Sequence, residues 1–142
     1  MAKEVRTEVV FKAEMKFEGR SGRAGQTVAI DFTPEGEPID GFSPLELLLA
    51  SLAGCSGQVT VGLLKRMGQE VKDLTVHARG VKKEIHPTVL TSIELEFVFQ
   101  GGRVDGASVE KALALSEERF CPVWIMLKAS APITATYRLL AG

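Results

Sequence analysis

Apolar side chains stand at every second position from Val9 to Phe17, through Phe11, Ala13 and Met15, with charged or polar residues between most of them. A period of two predicts one half-exposed strand over 4–17. Gly19 to Gly25 reads as a turn-rich loop, and Thr27 to Phe32 as the returning strand. Residues 33–42, punctuated by Pro34, Gly36, Pro38 and Gly41, read as a loop.

The period then changes. Ser43 suits a helix N-cap, Pro44 the first helical position and Glu46 the reciprocal place of a Ser-x-x-Glu capping box. The helix so begun runs to about Met67, with Lys65 and Arg66 in its last turn and Gly68 as the stop. Apolar or small residues surround nearly its whole circumference, as expected of a helix buried in a core. Gly54-Cys55-Ser56-Gly57 is its weakest stretch in propensity, and a kink is expected there.

Val71–Val81 and Thr88–Phe99 read as strands; in the second, Ile93, Leu95, Phe97 and Phe99 alternate with Ser92, Glu94, Glu96 and Val98. Gly101-Gly102 ends it. Val109, Ala112, Leu113, Leu115 and Ser116 form a helical stripe over 108–120, which Cys121-Pro122 breaks before a short helix through Leu127. Residues 131–139 make a closing strand. This order predicts an α+β fold with antiparallel, hairpin-like connections and helices gathered on one side of a sheet. The first helix is too apolar for one sheet to cover, so a second helix or a second chain is expected against it.

Composition narrows the functions. A chain of 142 residues fits one domain, 1–142, without a linker or repeat. A net charge of −1 and only nine aromatic residues (Phe 7, Trp 1, Tyr 1) argue against a nucleic-acid-binding surface. Met1-Ala-Lys-Glu-Val-Arg lacks a signal-peptide core, and polar residues break the apolar stretch 44–64, so no membrane span and a cytoplasmic location are expected.

Chemistry then centres on the two cysteines, Cys55 and Cys121. In a reducing compartment such thiols are catalytic, metal-binding or inert. As a redox pair, one would become a sulfenic acid and the other would resolve it. As core residues, both would be small buried hydrophobes. If Pro122 opens a helix, Cys121 is its N-cap, where unpaired N–H groups favour a thiolate. Glu46 is a cap or a carboxylate that orients an arginine; on an ideal helix it lies opposite Cys55 and roughly 13 Å along the axis. Arg20 and Arg23 are solvated loop residues, or one of them folds over Cys55. His77 and His86 share no ligand spacing with the cysteines, so no metal is expected. No phosphate-cradling loop, dinucleotide fingerprint or nucleophile elbow is present.

The helix opening Ser43-Pro-Leu-Glu-Leu-Leu-Leu-Ala-Ser-Leu-Ala-Gly-Cys55-Ser-Gly, taken with Leu115-Ser-Glu-Glu-Arg-Phe-Cys121-Pro-Val, resembles the OsmC/Ohr family of osmotically inducible and organic hydroperoxide resistance proteins. Glu94-Leu-Glu-Phe and Thr134-Ala-Thr-Tyr137 also fit, so the resemblance covers nearly the whole chain. It implies an OsmC-like α+β fold, antiparallel sheets around two central helices, in an interlocked homodimer. It further implies a thiol peroxidase acting on organic hydroperoxides without a cofactor, reduced by small dithiols or lipoyl-bearing proteins. Cys55 would be the peroxidatic thiolate and Cys121 the resolving thiol. Arg20, in a loop resembling the family's Gly-Gly-Arg-Asp-Gly, would stabilise the thiolate, and Glu46 would hold the arginine. The organic hydroperoxide resistance branch opens its helix Asn-Pro-Glu; here Leu45 takes that glutamate's place and Glu46 follows it. The segment around Cys121 is closer to the OsmC-like branch. A binding or scaffold protein on the same fold, and a general thiol–disulfide oxidoreductase, are the alternatives.

Overall fold

The computed structural model describes residues 2–34 and 36–142. The chain forms two compact units, Met1–Leu48 and Leu49–Gly142.

The first unit is a three-stranded antiparallel sheet, β1 (Thr7–Ala13), β2 (Lys16–Ser21) and β3 (Thr27–Ile30), in the order β1-β2-β3. Its first two strands correct the expectation of one strand over 4–17. The chain turns back at Glu14-Met15, where Glu14 takes a φ of 56°. That left-handed conformation is uncommon for a residue other than glycine, so no turn residue marked the place. The reversal sets Phe11 opposite Phe17, with ring centroids 5.4 Å apart in an edge-to-face contact. Arg20 belongs to β2 rather than to the following loop, and pairs with Glu8 on β1 and Thr27 on β3. Beyond β3, buried Asp31 organises the loop: its carboxylate accepts from the backbone N–H of Phe32 at 2.8 Å and of Asp40 at 3.0 Å.

Helix α1 (Pro44–Arg66) begins as the sequence predicts. Ser43 Oγ accepts from the Glu46 backbone N–H at 3.2 Å, and Glu46 Oε1 accepts from the Ser43 N–H at 2.9 Å. Two otherwise orphaned donors are satisfied reciprocally. The helix is continuous across Gly54–Gly57, where the sequence suggested a kink.

The second unit carries the core. Strands β4 (Asp73–Lys82), β5 (Leu90–Gln100) and β6 (Ile133–Leu140) form a sheet in that order. The alternation predicted for β5 holds: Ile93, Leu95, Phe97 and Phe99 are buried. They pack with Leu52 and Leu64 of α1, Val109, Ala112 and Leu113 of α2 (Gly106–Leu115), and Trp124 of α3 (Pro122–Leu127). The four most buried positions of α1 are Leu52, Ser56, Thr60 and Leu64, one turn apart on a single stripe.

One pairing departs from expectation. β4 and β5 are antiparallel, but β6 runs parallel to β5, so this sheet is mixed rather than antiparallel throughout. The helical segment between them supplies the long crossover that a parallel pair requires.

Candidate functional site

Cys55 sits midway along α1, half-buried against the core, and Cys121 is fully buried. Both thiols are free. The fold makes them neighbours: Cys55 is close enough to act on the Cys121 thiol.

Cys121 is placed by an irregular stretch of backbone. α2 does not continue to Phe120 as one α-helix; Ser116–Phe120 winds as a π-turn, in which the Cys121 N–H donates to the Ser116 carbonyl at 2.9 Å. Such wide turns insert an extra residue and swing the next segment of chain to a new bearing. Lys128 Nζ donates to the Glu117 carbonyl at 3.0 Å, satisfying an oxygen of the widened turn. The next residue, Pro122, opens α3, and Cys121 is its N-cap, with Sγ accepting from the Trp124 backbone N–H at 3.5 Å.

That N-cap was expected to favour a thiolate at Cys121. Burial overrides it and pushes the Cys121 thiol up to about 11. The Trp124 and Val123 backbone N–H groups pull the other way, while the neighbouring Cys55 adds to the rise. A charged form removed from water costs more than two backbone donors return. Cys121 therefore holds its proton at neutral pH.

Three hydroxyls lie fully buried in the same core: Ser56, Thr60 and Ser116. Ser56 Oγ donates to the Leu52 carbonyl one turn back, at 2.8 Å. Thr60 reaches across to the π-turn, where its Oγ1 lies 3.3 Å from Ser116 Oγ. Sequence reasoning missed this pair. Its one signal was a hydroxyl residue five positions after Cys55 and another five before Cys121. Trp124 is also buried, and its indole N–H has no acceptor among the described residues.

In the first unit, the half-buried Arg20 donates from Nε to Glu18 Oε1 at 3.0 Å, and its Nη1 lies 4.0 Å from Glu8 Oε2. Arg23 is exposed in the turn after β2. Glu46 is exposed, and its carboxyl lies below the usual carboxylate range, chiefly because it accepts from the Ser43 backbone N–H and then from the Ser43 side chain. Its partner among the described residues is thus Ser43, while those of Arg20 are Glu18 and Glu8. In the second unit, His77 on β4 stands opposite Glu96 on β5, and His86 lies in the β4–β5 loop.

Comparison with known proteins agrees with this architecture. The model of the family described as OsmC-like protein matches residues 34–136. Protein YhfA of Escherichia coli K12 is 34% identical over 100 residues, covering 70% of this chain and 75% of YhfA. The crystal structure of a hypothetical protein from Aquifex aeolicus VF5 superposes with a TM-score of 0.87 at 28% identity, over 99% of both chains. An organic hydroperoxide resistance protein OsmC from Legionella pneumophila shares the fold at a TM-score of 0.69 and 11% identity, over 96% of this chain and 98% of its own. With the paired thiols of α1 and the π-turn set in that fold, the chain belongs to the OsmC-like protein family.

Proposed function

We propose that the protein is a cysteine-based hydroperoxide reductase, a thiol peroxidase that detoxifies organic hydroperoxides. One observation carries the reading: the only two thiols of the chain, far apart in sequence, are neighbours in the fold, close enough for Cys55 to act on the Cys121 thiol. Membership of a family that includes organic hydroperoxide resistance proteins supports it.

In this reading Cys55, the more exposed sulfur, attacks the outer oxygen of the hydroperoxide as a thiolate. The O–O bond breaks, the alcohol leaves with a proton, and Cys55 becomes a sulfenic acid. Cys121 then attacks that sulfur, water departs, and a disulfide closes. An external dithiol or lipoyl-bearing protein reopens it by exchange and is itself oxidised. No metal or organic cofactor is required. Arg20 and Glu46 enter by resemblance, as the residue that stabilises the thiolate and the carboxylate that orients it.

We further propose that residues 1–142 act as one OsmC-like domain in a cytoplasmic homodimer. Support comes from apolar surface that a lone chain leaves open. Val9, Phe11 and Phe17 of the first sheet are exposed. A groove of about 650 Å³ beside α1 is lined by Gly54, Gly57, Val61, Gly62, Leu74 and Val76. By length and composition alone α1 is apolar enough to cross a bilayer; its buried Ser56 and Thr60, and its packing against β5, support a core helix instead.

The test is loss of free thiols on adding one equivalent of cumene hydroperoxide, with hydrogen peroxide as comparison. Loss of both thiols, reversed by a dithiol and absent in Cys55→Ser, is the expected result. Full peroxidase activity in Cys55→Ser would sink the proposal, and inert thiols would leave a binding protein on this fold.

A further inference from the structure

We propose that Thr60 and Ser116 are positioning residues for the Cys55–Cys121 couple: their buried hydroxyl pair fixes the helix carrying Cys55 against the π-turn carrying Cys121. The inference rests on the dithiol reading above.

Thr60 stands on the same continuous helix as Cys55, so its side chain keeps a fixed offset from the first thiol. Ser116 is tied to the second thiol through the backbone, because its carbonyl accepts the Cys121 N–H at 2.9 Å. The hydroxyl contact joins these two arms and bridges the element of one sulfur to the element of the other. Both side chains are fully buried, and each is the other's side-chain partner among the described residues.

Packing alone does not call for this arrangement. Ser56, one turn earlier, satisfies its hydroxyl within its own helix, a route open to any buried Ser or Thr. Thr60 instead reaches to another element. At 3.3 Å the contact is long for a hydroxyl pair, so it locates the two elements rather than clamping them. Its removal still matters, because it takes away the hydroxyl contact that joins α1 to the π-turn, and the remaining hydroxyl must turn back to its own helix. A buried polar pair of this kind selects one register between elements that apolar contacts would allow to slide.

Closing the disulfide takes two protons and two electrons from the thiols. The electrons pass to the hydroperoxide, whose oxygens leave as alcohol and water. The closed form tolerates a narrow range of sulfur positions, so a looser α1–π-turn contact disfavours it relative to the dithiol.

The experiment is a thiol–disulfide equilibrium of the full chain in buffers of oxidised and reduced dithiothreitol, trapped with acid and counted by mass. Thr60→Val and Ser116→Ala are expected to lower the constant for closing roughly tenfold, equivalent to about 30 mV for a two-electron couple. Thr60→Ser, which keeps the hydroxyl, is expected to stay within about twofold of the parent. A structural loss alone would lower the melting temperature and leave this ratio in place. If Thr60→Val does not fold, Thr60→Ala and Ser116→Ala, which only remove atoms, carry the comparison. Unchanged constants in folded variants overturn the positioning role while leaving the peroxidase reading intact. A parent protein that never closes the disulfide overturns both.

Discussion

Cys121 lies fully buried as a neighbour of Cys55, and burial together with that neighbour raises its thiol to about 11. The two sulfurs are therefore unequal despite their proximity. At pH 7–8 a pulse of iodoacetamide should label Cys55 first, because it is the more accessible of the two. Cys121 should be labelled only after unfolding or as the pH approaches 11. Peptide mass spectrometry of the pulse-labelled, reduced protein reads this directly, and equal labelling of both cysteines at pH 7.5 would contradict it.

The same rise makes a statement about stability. A thiol whose folded value lies above its unfolded value of 9.0 leaves the folded state binding more protons between the two. Stability is thus fully present below pH 9 and falls as pH rises toward 11, by no more than about 2–3 kcal/mol for a shift of this size. Tyr137, raised by burial and then by the charge and hydrogen bond of Glu110, contributes in the same direction. Urea unfolding in reductant at pH 7, 9, 10 and 11 should show the decline, and Cys121→Ala should flatten its cysteine part.

Local chemistry was legible in the sequence and long-range pairing was not. Ser43, Pro44 and Glu46 specify the start of α1 because a capping box closes over four residues. The alternation in β5 was equally plain, since one face meets the core. The β1–β2 reversal was hidden because Glu14, not glycine or asparagine, takes the left-handed conformation. The parallel pairing of β6 depends on a crossover that local periodicity does not encode. For the proposed site, the sequence singled out Cys55 and Cys121 as candidates and placed Cys121 at an N-cap, where the structure has it. Their meeting depends on the π-turn, and no propensity announces such a turn. Nor did the N-cap rule foresee that burial would dominate the thiol.

The capping box separates two roles for Glu46. Ser43→Ala removes the acceptor for the Glu46 N–H and should cost about 1 kcal/mol. Glu46→Gln keeps an oxygen for the Ser43 N–H, since glutamine serves in this motif as glutamate does, and should leave stability at neutral pH near the parent's. The Glu46 carboxyl is held low by Ser43, so its contribution is present above the unfolded value of 4.5 and is lost as pH falls through the folded one. Peroxidase assays on Glu46→Gln then isolate the charge. Parent-like activity assigns Glu46 to the helix end; a collapse in activity with stability intact assigns it to the thiolate.

Gly102 tests how the second unit closes its sheet. It takes a φ of 72°, and a Cβ there would run into the Glu70 carbonyl oxygen. That oxygen is committed: Glu70 and Arg103 exchange backbone hydrogen bonds at 2.9 and 2.8 Å, and the Arg103 guanidinium donates to the Glu70 carboxylate at 3.0 Å. Gly102→Ala therefore combines a left-handed backbone with a backbone clash that no rotamer change relieves. A loss of about 2 kcal/mol or more is expected. Thermal melts should show Gly102→Ala well below the parent. A melting temperature equal to the parent's would mean that the Glu70–Arg103 bridge is not held as described.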